Sequence, residues 1–470
     1  MAVRYINGGQ GAFVTTDGGT TWKLLCNSSV FDPTTRGGPL VVTGDGTTII
    51  GAFNGMWHDD GHDCGWTEDV QYDGEWISNF AVDPLDPTIT YALTSSGGKQ
   101  NGILRRDASG KWTDFGTKAA LLLDEVRVVP HGTGRRFYVG AVNGTVAVDG
   151  GTSLANYVIR VSDDDGATWT EHAYGATDGT LAIQAVDPSN PDRIVVSIER
   201  PEDAAPPAVT TDTVRVSDDQ GATFKDYLTV TEIGGVAFAP DGRVWIGDAG
   251  GSLNPDQPDG LYFASSIDKA AKKVASDYPV QCLAYQPATS TLLACQRWSV
   301  GPIDATKSTF TTSLDVRTVA NFVECAGVDM AATCEDQVCS AYCGFGHFAQ
   351  APICCAYDTP TCGPVASPIP TSCPVRDAGV VDAGIDGSAG AGGAGGSEHR
   401  DGGTAVGGTH FDAGTSFGFG TGATSATKKN SDGSCAVAVV QTQSRGLAAE
   451  ALSILAASFA LRRRGRRRVP

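Results

Sequence analysis

The stretch SDDDGATW, residues 162–169, sets three adjacent carboxylates beside a hydroxyl, a glycine and a tryptophan. It admits three readings: an acidic catalytic cluster, a metal loop, or a turn that builds a fold. Its copies decide between them. TTDGGTTW at 15–22 and SDDQGATF at 217–224 keep the pattern Ser/Thr-x-Asp-x-Gly-x-Thr-Trp/Phe. Weaker copies are RRDASGKW at 105–112, with Asp107 and Trp112, and SIDKAAKK at 266–273, with Ser266 and Asp268. HDDGHDCGW near Asp60 and the stretch ending at Thr309 and Phe310 are poorer still. The Asp positions recur every 37 to 57 residues, roughly the length of a four-stranded propeller blade. A motif repeated blade after blade is a turn, not one active site.

A second signal alternates with the first. FAVDPLDPTITYALT at 80–94 and IQAVDPSNPDRIVVSI at 183–198 each join two apolar runs through an Asp-Pro turn, and FAPDGRVWIGD at 238–248 is a shorter relative. Pro presets φ, Asp bonds nearby backbone, and the flanking Val, Ile, Tyr and Phe favour strands. One unit therefore reads strand, Asp-Pro turn, strand, loop, strand, Asp turn, strand. Within the octapeptide, Asp17, Asp164 and Asp219 accept turn amides, and Gly19, Gly166 and Gly221 take the positive φ that other residues resist. Trp22, Trp169 and Phe224 offer an apolar face to the neighbouring blade.

The octapeptide resembles the Asp-box, or BNR repeat, of sialidases, some glucan hydrolases, sortilin-type receptors and non-enzymatic propellers. The resemblance covers residues 1–322 and implies an all-β, about seven-bladed β-propeller. It places the box on the hairpin between the third and fourth strands, away from the central substrate face. Sialidases of this kind carry an arginine triad, an Arg-Ile-Pro segment, and Tyr, Glu and Asp at the channel mouth. No Arg-Ile-Pro occurs here. Asp124, Glu125 and Glu199, the last beside Arg200 in IERP, are the carboxylates that acid/base hydrolysis could use. The expectation is a surface-displayed, non-enzymatic protein that binds a glycan, a protein or a matrix component through a propeller face. A secreted glycoside hydrolase of the sialidase or glucanase type is the alternative, marked by carboxylates with arginines at the axial mouth.

No cofactor is expected. MWHDDGHDCGW at 56–66 would put His58, Asp60 and His62 on one face of an extended strand, as metal ligands. The alternative is a degenerate copy of the octapeptide in which Cys64 pairs with Cys26, the only other cysteine before residue 282. Gly61 and Gly65 favour that turn. Cys282 and Cys295 flank a turn symmetrically, which predicts a cross-strand disulfide.

Thirteen cysteines point to an oxidising compartment. Cys325, Cys334, Cys339, Cys343, Cys354, Cys355, Cys362 and Cys373 fall in 323–374 with no CxxC knuckle, which predicts a small disulfide-stapled module rather than a zinc site. From 375 to 434 the chain becomes Gly, Ala, Ser, Thr and Asp text that cannot bury a core and reads as a disordered spacer.

The end, 435–470, combines Cys435, an apolar stretch at 447–461 and a run of six arginines. It resembles the MYXO-CTERM sorting tail of myxobacterial surface proteins. That resemblance implies transient membrane insertion through 447–461, cleavage by a sorting protease near Cys435 or modification of it, and display at the cell surface. Ser434 stands where such tails carry Gly, and Glu450 interrupts the apolar stretch. About 20 apolar residues span a bilayer, so 447–461 is a weak stop. The first residues show no basic and apolar leader, and GAFVTTDGGTTW already reads as mid-domain, so an N-terminal signal segment upstream is expected.

Formal net charge is −19, and removing the six C-terminal arginines leaves −25 on the rest. A surface this acidic repels phosphate backbones, so nucleic acid is not an expected partner.

Overall fold

The computed structural model describes residues 3–7, 11–15, 20–26, 30, 37–59, 65–147, 153–177, 180–199, 211–250, 260–276, 278–286, 289–296, 299–304, 309–325, 329–330, 333–334 and 435–439. Seven sheets, antiparallel but for one short edge pairing in the first, are arranged as the blades of a propeller. In chain order the strands are β1 (Val3–Asn7), β2 (Gly11–Val14) and β3 (Lys23–Leu25); β4 (Gly37–Val42), β5 (Thr48–Ala52), β6 (Gly55–Asp59) and β7 (Trp66–Glu68); and β8 (Ile77–Val82), β9 (Thr90–Thr94), β10 (Asn101–Arg106) and β11 (Trp112–Ala119). The middle blades are β12 (Leu122–His131), β13 (Gly134–Ala147), β14 (Ser153–Ser162) and β15 (Thr170–Thr177), then β16 (Thr180–Val186), β17 (Ile194–Glu199), β18 (Asp212–Ser217) and β19 (Lys225–Val230). Next come β20 (Ile233–Phe238), β21 (Val244–Asp248), β22 (Gly260–Ala264) and β23 (Lys272–Ala275), and β24 (Cys282–Gln286), β25 (Thr291–Cys295), β26 (Ser299–Asp304), β27 (Thr309–Phe310) and β28 (Leu314–Asp315). Two further strands, β29 (Asn321–Phe322) and β30 (Cys435–Val439), both join the first blade.

The strands β30, β4, β8, β12, β16, β20 and β24 touch their neighbours in a closed ring, so they line the axis. Second strands lie between two blades and are buried on both faces. Their sequences accordingly read as continuous apolar runs, and every residue of β5, β9 and β21 is buried. Blades pack face to face through mixed clusters. Tyr91, Leu93 and Ile103 of the third blade meet Leu123, Phe137 and Val139 of the fourth, with Tyr91 edge-on to Phe137 at 4.9 Å. Outer strands are wet, as in β11, where Trp112 is buried and most following residues are exposed or half-buried.

The ring closes on the first blade from both edges. On the outer edge β29 pairs in parallel with β3, Val323 N donates to Leu24 O at 3.0 Å, and Trp22 Nε1 donates to Ser313 O at 3.0 Å. Cys26 is bonded to Cys334 across 308 residues. This corrects the expected Cys26–Cys64 pairing: sequence proximity favoured Cys64, but closure brings residue 334 onto the first blade. Val323, Met330 and Cys334 are buried in that blade's core, and Cys325 is also disulfide-bonded. Cys64, Cys339, Cys343, Cys354, Cys355, Cys362 and Cys373 lie outside the described residues. The Cys282–Cys295 bond forms as the symmetric spacing implies, across directly opposed positions of β24 and β25.

On the inner edge β30 pairs with β1, running Val3 opposite Val439 to Asn7 opposite Cys435. Cys435 thus begins a ring-closing strand, while the spacer, the 447–461 stretch and the arginines lie outside the described residues. Among the described residues no helix is long and apolar enough to cross a membrane. A chain ending at residue 434 leaves the inner edge of β1 unpaired. Such a chain is expected to unfold at lower denaturant concentration than the full chain and to be cut by protease within residues 1–26. Identical unfolding midpoints and digestion patterns would remove β30 from the account.

Candidate active site on the inner wall

Antiparallel strands separate two faces. Connections between first and second strands, and between third and fourth, lie on one; connections between second and third strands, and from blade to blade, lie on the other. All seven sequence copies of the octapeptide fall between third and fourth strands. In the best copies the turn chemistry is explicit. Asp164 accepts from Thr168 N at 2.9 Å and Thr168 Oγ1 at 2.6 Å, and Ser162 Oγ accepts from Gly166 N at 2.9 Å. Asp219 repeats this with Thr223 at 2.8 and 2.6 Å, and Ser217 Oγ accepts from Gly221 N at 2.8 Å. The Thr223 hydroxyl and N–H hold the Asp219 carboxyl down at about 2. Asp107 takes Ser109 and Lys111 in the same way. Trp169 packs into the core shared with the third blade, and Phe224 stands edge-on to Tyr174 of the fourth. Asp17 and Gly19 lie outside the described residues.

The neighbouring acids, which the sequence pattern leaves as variable, have a different task. Arg136, at the start of β13 and 2% exposed, donates to Asp163 at 2.5 and 2.9 Å, to Pro191 O at 3.2 Å, and to Asp192 of the next blade. Arg193, the matching residue of the fifth blade, donates to Asp218 at 2.6 Å and to Asp268 of the sixth at 2.9 Å. Each arginine therefore ties its own octapeptide turn to the next blade. Arg136→Met is expected to cost about 3 kcal/mol, the low end for breaking a buried ion pair, because the stranded Asp163 and Asp192 are 45% and 47% exposed. Urea unfolding checks this, and a loss below 1 kcal/mol would contradict it.

The other face has a different character. Four successive inner strands carry a β-bulge at one level: the ladder skips Ser78 in β8, Asp124 in β12, Gln184 in β16 and Gly234 in β20. Bulges re-aim a side chain and are over-represented beside active sites. Ser78 Oγ donates to Leu123 O at 2.6 Å and Gln184 Nε2 donates to Ser197 Oγ at 2.9 Å. Gly234 is required there, since a Cβ would come within 1.7 Å of Val280 O. Asp124 is the only ionisable residue of the four. It is half-buried, and burial, followed by repulsion from Glu125, pushes its carboxyl up to about 7.

Glu125, next to it, is tied down. It accepts from Ile183 N of the fifth blade and lies 3.8 Å from Arg127. Burial raises its pKa, while Arg127 and the Ile183 N–H oppose the rise. Asn79 and Asp212 make the same kind of tie to Val126 N and Ile233 N, so Glu125 also serves blade-to-blade registry. Glu199 ends β17 opposite Thr180, at the same end of the fifth blade.

Of the candidate metal ligands, one falls among the described residues. His58, on β6, bonds Asp69 through Nδ1 at 3.2 Å; Asp60 and His62 lie outside the described residues. Among the described residues no three His, Cys, Asp or Glu side chains cluster as metal ligands.

No family model and no curated protein matches the chain. Solved structures with a similar fold include an alanine mutant of an α-L-arabinofuranosidase from Fusarium graminearum bound to an iminosugar inhibitor, with TM-score 0.34 and 12% identity over 50% of this chain and 79% of that one. A putative gluconolactonase has TM-score 0.33 and 15% identity over 57% and 87%. An α-L-arabinanase from Penicillium chrysogenum, complexed with arabinobiose, has TM-score 0.32 and 13% identity over 49% and 78%.

The expectation of a non-enzymatic binding face is corrected here. The inner wall of this chain carries two neighbouring carboxylates, Asp124 and Glu125, with Arg127 beside Glu125, which is the mark expected of the hydrolase alternative.

Proposed function

We propose that the chain is an exported glycoside hydrolase whose general acid is Asp124. The observation that carries this is the bulge at Asp124: a carboxyl on the axial strand, confined, beside a second carboxylate, and still protonated near neutral pH. Glycoside hydrolysis needs a protonated carboxyl to donate to the departing oxygen and a second carboxylate that either attacks the anomeric carbon, to be displaced by water afterwards, or takes a proton from the water that attacks it. Asp124 fills the first role. Glu125, oriented by Ile183 N–H and Arg127, fills the second, and Glu199 is the companion candidate from the next blade. The repeated turn supports assignment to the Asp-box propellers. Two disulfides support export to an oxidising compartment. Surface display through the C-terminal tail then calls for removal of residues beyond Val439, because β30 closes the ring.

The test is release of 4-methylumbelliferone from a panel of α-L-arabinofuranoside, β-glucoside, β-xyloside and α-sialoside by disulfide-intact protein. Turnover of at least one, abolished by Asp124→Asn, is expected. No turnover across the panel and on the corresponding polysaccharides would contradict the proposal.

A further inference from the structure

We infer that a sugar-binding subsite lies on the same face, built on Phe53 and Trp76 and extending the site around Asp124 outward; it rests on the hydrolase reading above. Phe53 sits in the turn between β5 and β6, and Trp76 immediately precedes β8. Both connections belong to the face where β12 begins, opposite the octapeptide turns. The two rings are stacked with centroids 5.0 Å apart and planes 21° from parallel. Phe53 is 44% exposed, the one aromatic among the large exposed apolar side chains of the described residues.

The stack is held firmly. Trp76 N donates to Ser96 Oγ at 2.9 Å, Ser96 Oγ donates to Glu75 at 2.7 Å, and Lys99 pairs with Glu75 at 2.8 Å. Ser95 N donates to Trp76 O at 2.9 Å. Glu75, the residue before Trp76, also lines a polar groove of about 380 Å³ with Gln71, Tyr72, Gln100, Asp114 and Lys118. The route to the acid is short. Trp76 stands two residues, about 7 Å of strand, from Ser78, whose Oγ donates at 2.6 Å to the Leu123 carbonyl that leads into Asp124.

A fixed, exposed aromatic face, with Glu75 leading from it into the polar groove, suits a ring with one C–H face and a hydroxyl edge. That is the chemistry of a neutral sugar. A nucleobase would also stack, but its phosphates meet an acidic body of −25 outside the C-terminal arginines. The inferred ligand is therefore a neutral polysaccharide that lies across the face, with one unit on Phe53 and Trp76 and the scissile bond at Asp124.

The experiment uses full-length Asp124→Asn protein, which reports binding without cleavage, run in native gels containing mixed-linkage β-glucan, arabinoxylan, debranched arabinan or galactomannan. Retardation by at least one is expected. Adding Phe53→Ala or Trp76→Ala should raise the dissociation constant for that polysaccharide at least tenfold, with the unfolding midpoint of the Phe53→Ala protein unchanged. Dissociation constants within twofold of the parent, no retardation in any gel, or tighter binding of oligodeoxythymidylate than of every polysaccharide would overturn the inference. Aryl-glycoside turnover by the wild-type chain scores the hydrolase separately. Turnover without retardation sinks the subsite alone, and aromatic-dependent retardation without turnover sinks the hydrolase alone.

Discussion

Replacing both Cys26 and Cys334 with serine is expected to remove about 5 kcal/mol of stability, the top of the range for disulfides. The bond joins residues 308 apart, so it closes a loop that contains the second to seventh blades, and chain-entropy stabilisation grows with the logarithm of loop length. It also sits where the ring must shut. β29 contributes only two paired residues to the outer edge of the first blade, and the exposed Lys23–Glu324 pair at 2.9 Å adds little, as surface ion pairs do. Without the covalent link, opening between first and last blades is opposed only by non-covalent contacts: the shared apolar core, β29 and the β30 strand. The Cys282–Cys295 bond, 13 residues apart within one hairpin, gives a contrast in the same molecule. Its removal is expected to cost about 3 kcal/mol, because strand pairing already holds that hairpin shut. Urea unfolding of the two double variants gives the order directly, and equal losses would show that ring closure does not depend on the long-range bond.

The second large effect concerns chemistry rather than stability. Asp124→Asn is expected to lower kcat/KM by a factor of roughly 10² to 10⁴, the contribution of a positioned general acid, with smaller losses for Glu125→Gln and Glu199→Gln. The same substitution carries a stability signature with a defined sign. The folded carboxyl is raised from its ordinary 3.8 to about 7, so between those values the folded state holds a proton that the unfolded chain has lost. Stability from this group is present below pH 4 and is lost as pH rises to about 7. Asparagine is neutral throughout. The variant should therefore match the wild type at pH 4 and exceed it at pH 8, even as activity falls. A residue that served packing alone would lose stability at both.

The parts of this molecule legible in the sequence are those whose physics is local. The octapeptide closes its own hydrogen bonds within a few residues, Asp164 with Thr168 and Ser162 with Gly166, so residue identity and spacing were enough to place the turn and, by repetition, the blades. Asp163 and Asp218 escaped because their partners are Arg136 and Arg193, 27 and 25 residues away; one variable-looking acid beside an invariant-looking one carries no local mark of its role. The pairing of Cys26 failed for the same reason at longer range, since nothing near residue 26 announces a partner at 334. Asp124 and Glu125 were visible as a carboxylate pair, but the bulge that separates their tasks is a register event between β12 and β13, set by two strands at once. Phe53 and Trp76 gave no signal, as the two strands β6 and β7 lie between rings that meet only when blades pack.

The most direct test of the account is the pH dependence of kcat/KM for the best aryl glycoside, measured on the wild type and on Asp124→Asn with both described disulfides intact. Wild-type activity is expected to fall above an apparent pKa near 7, as the Asp124 carboxyl loses its proton, and that limb is expected to be absent from the residual activity of the variant. A variant that keeps wild-type turnover, or keeps the same alkaline limb, would place the acid elsewhere and leave the inner-wall bulge a feature of the fold alone.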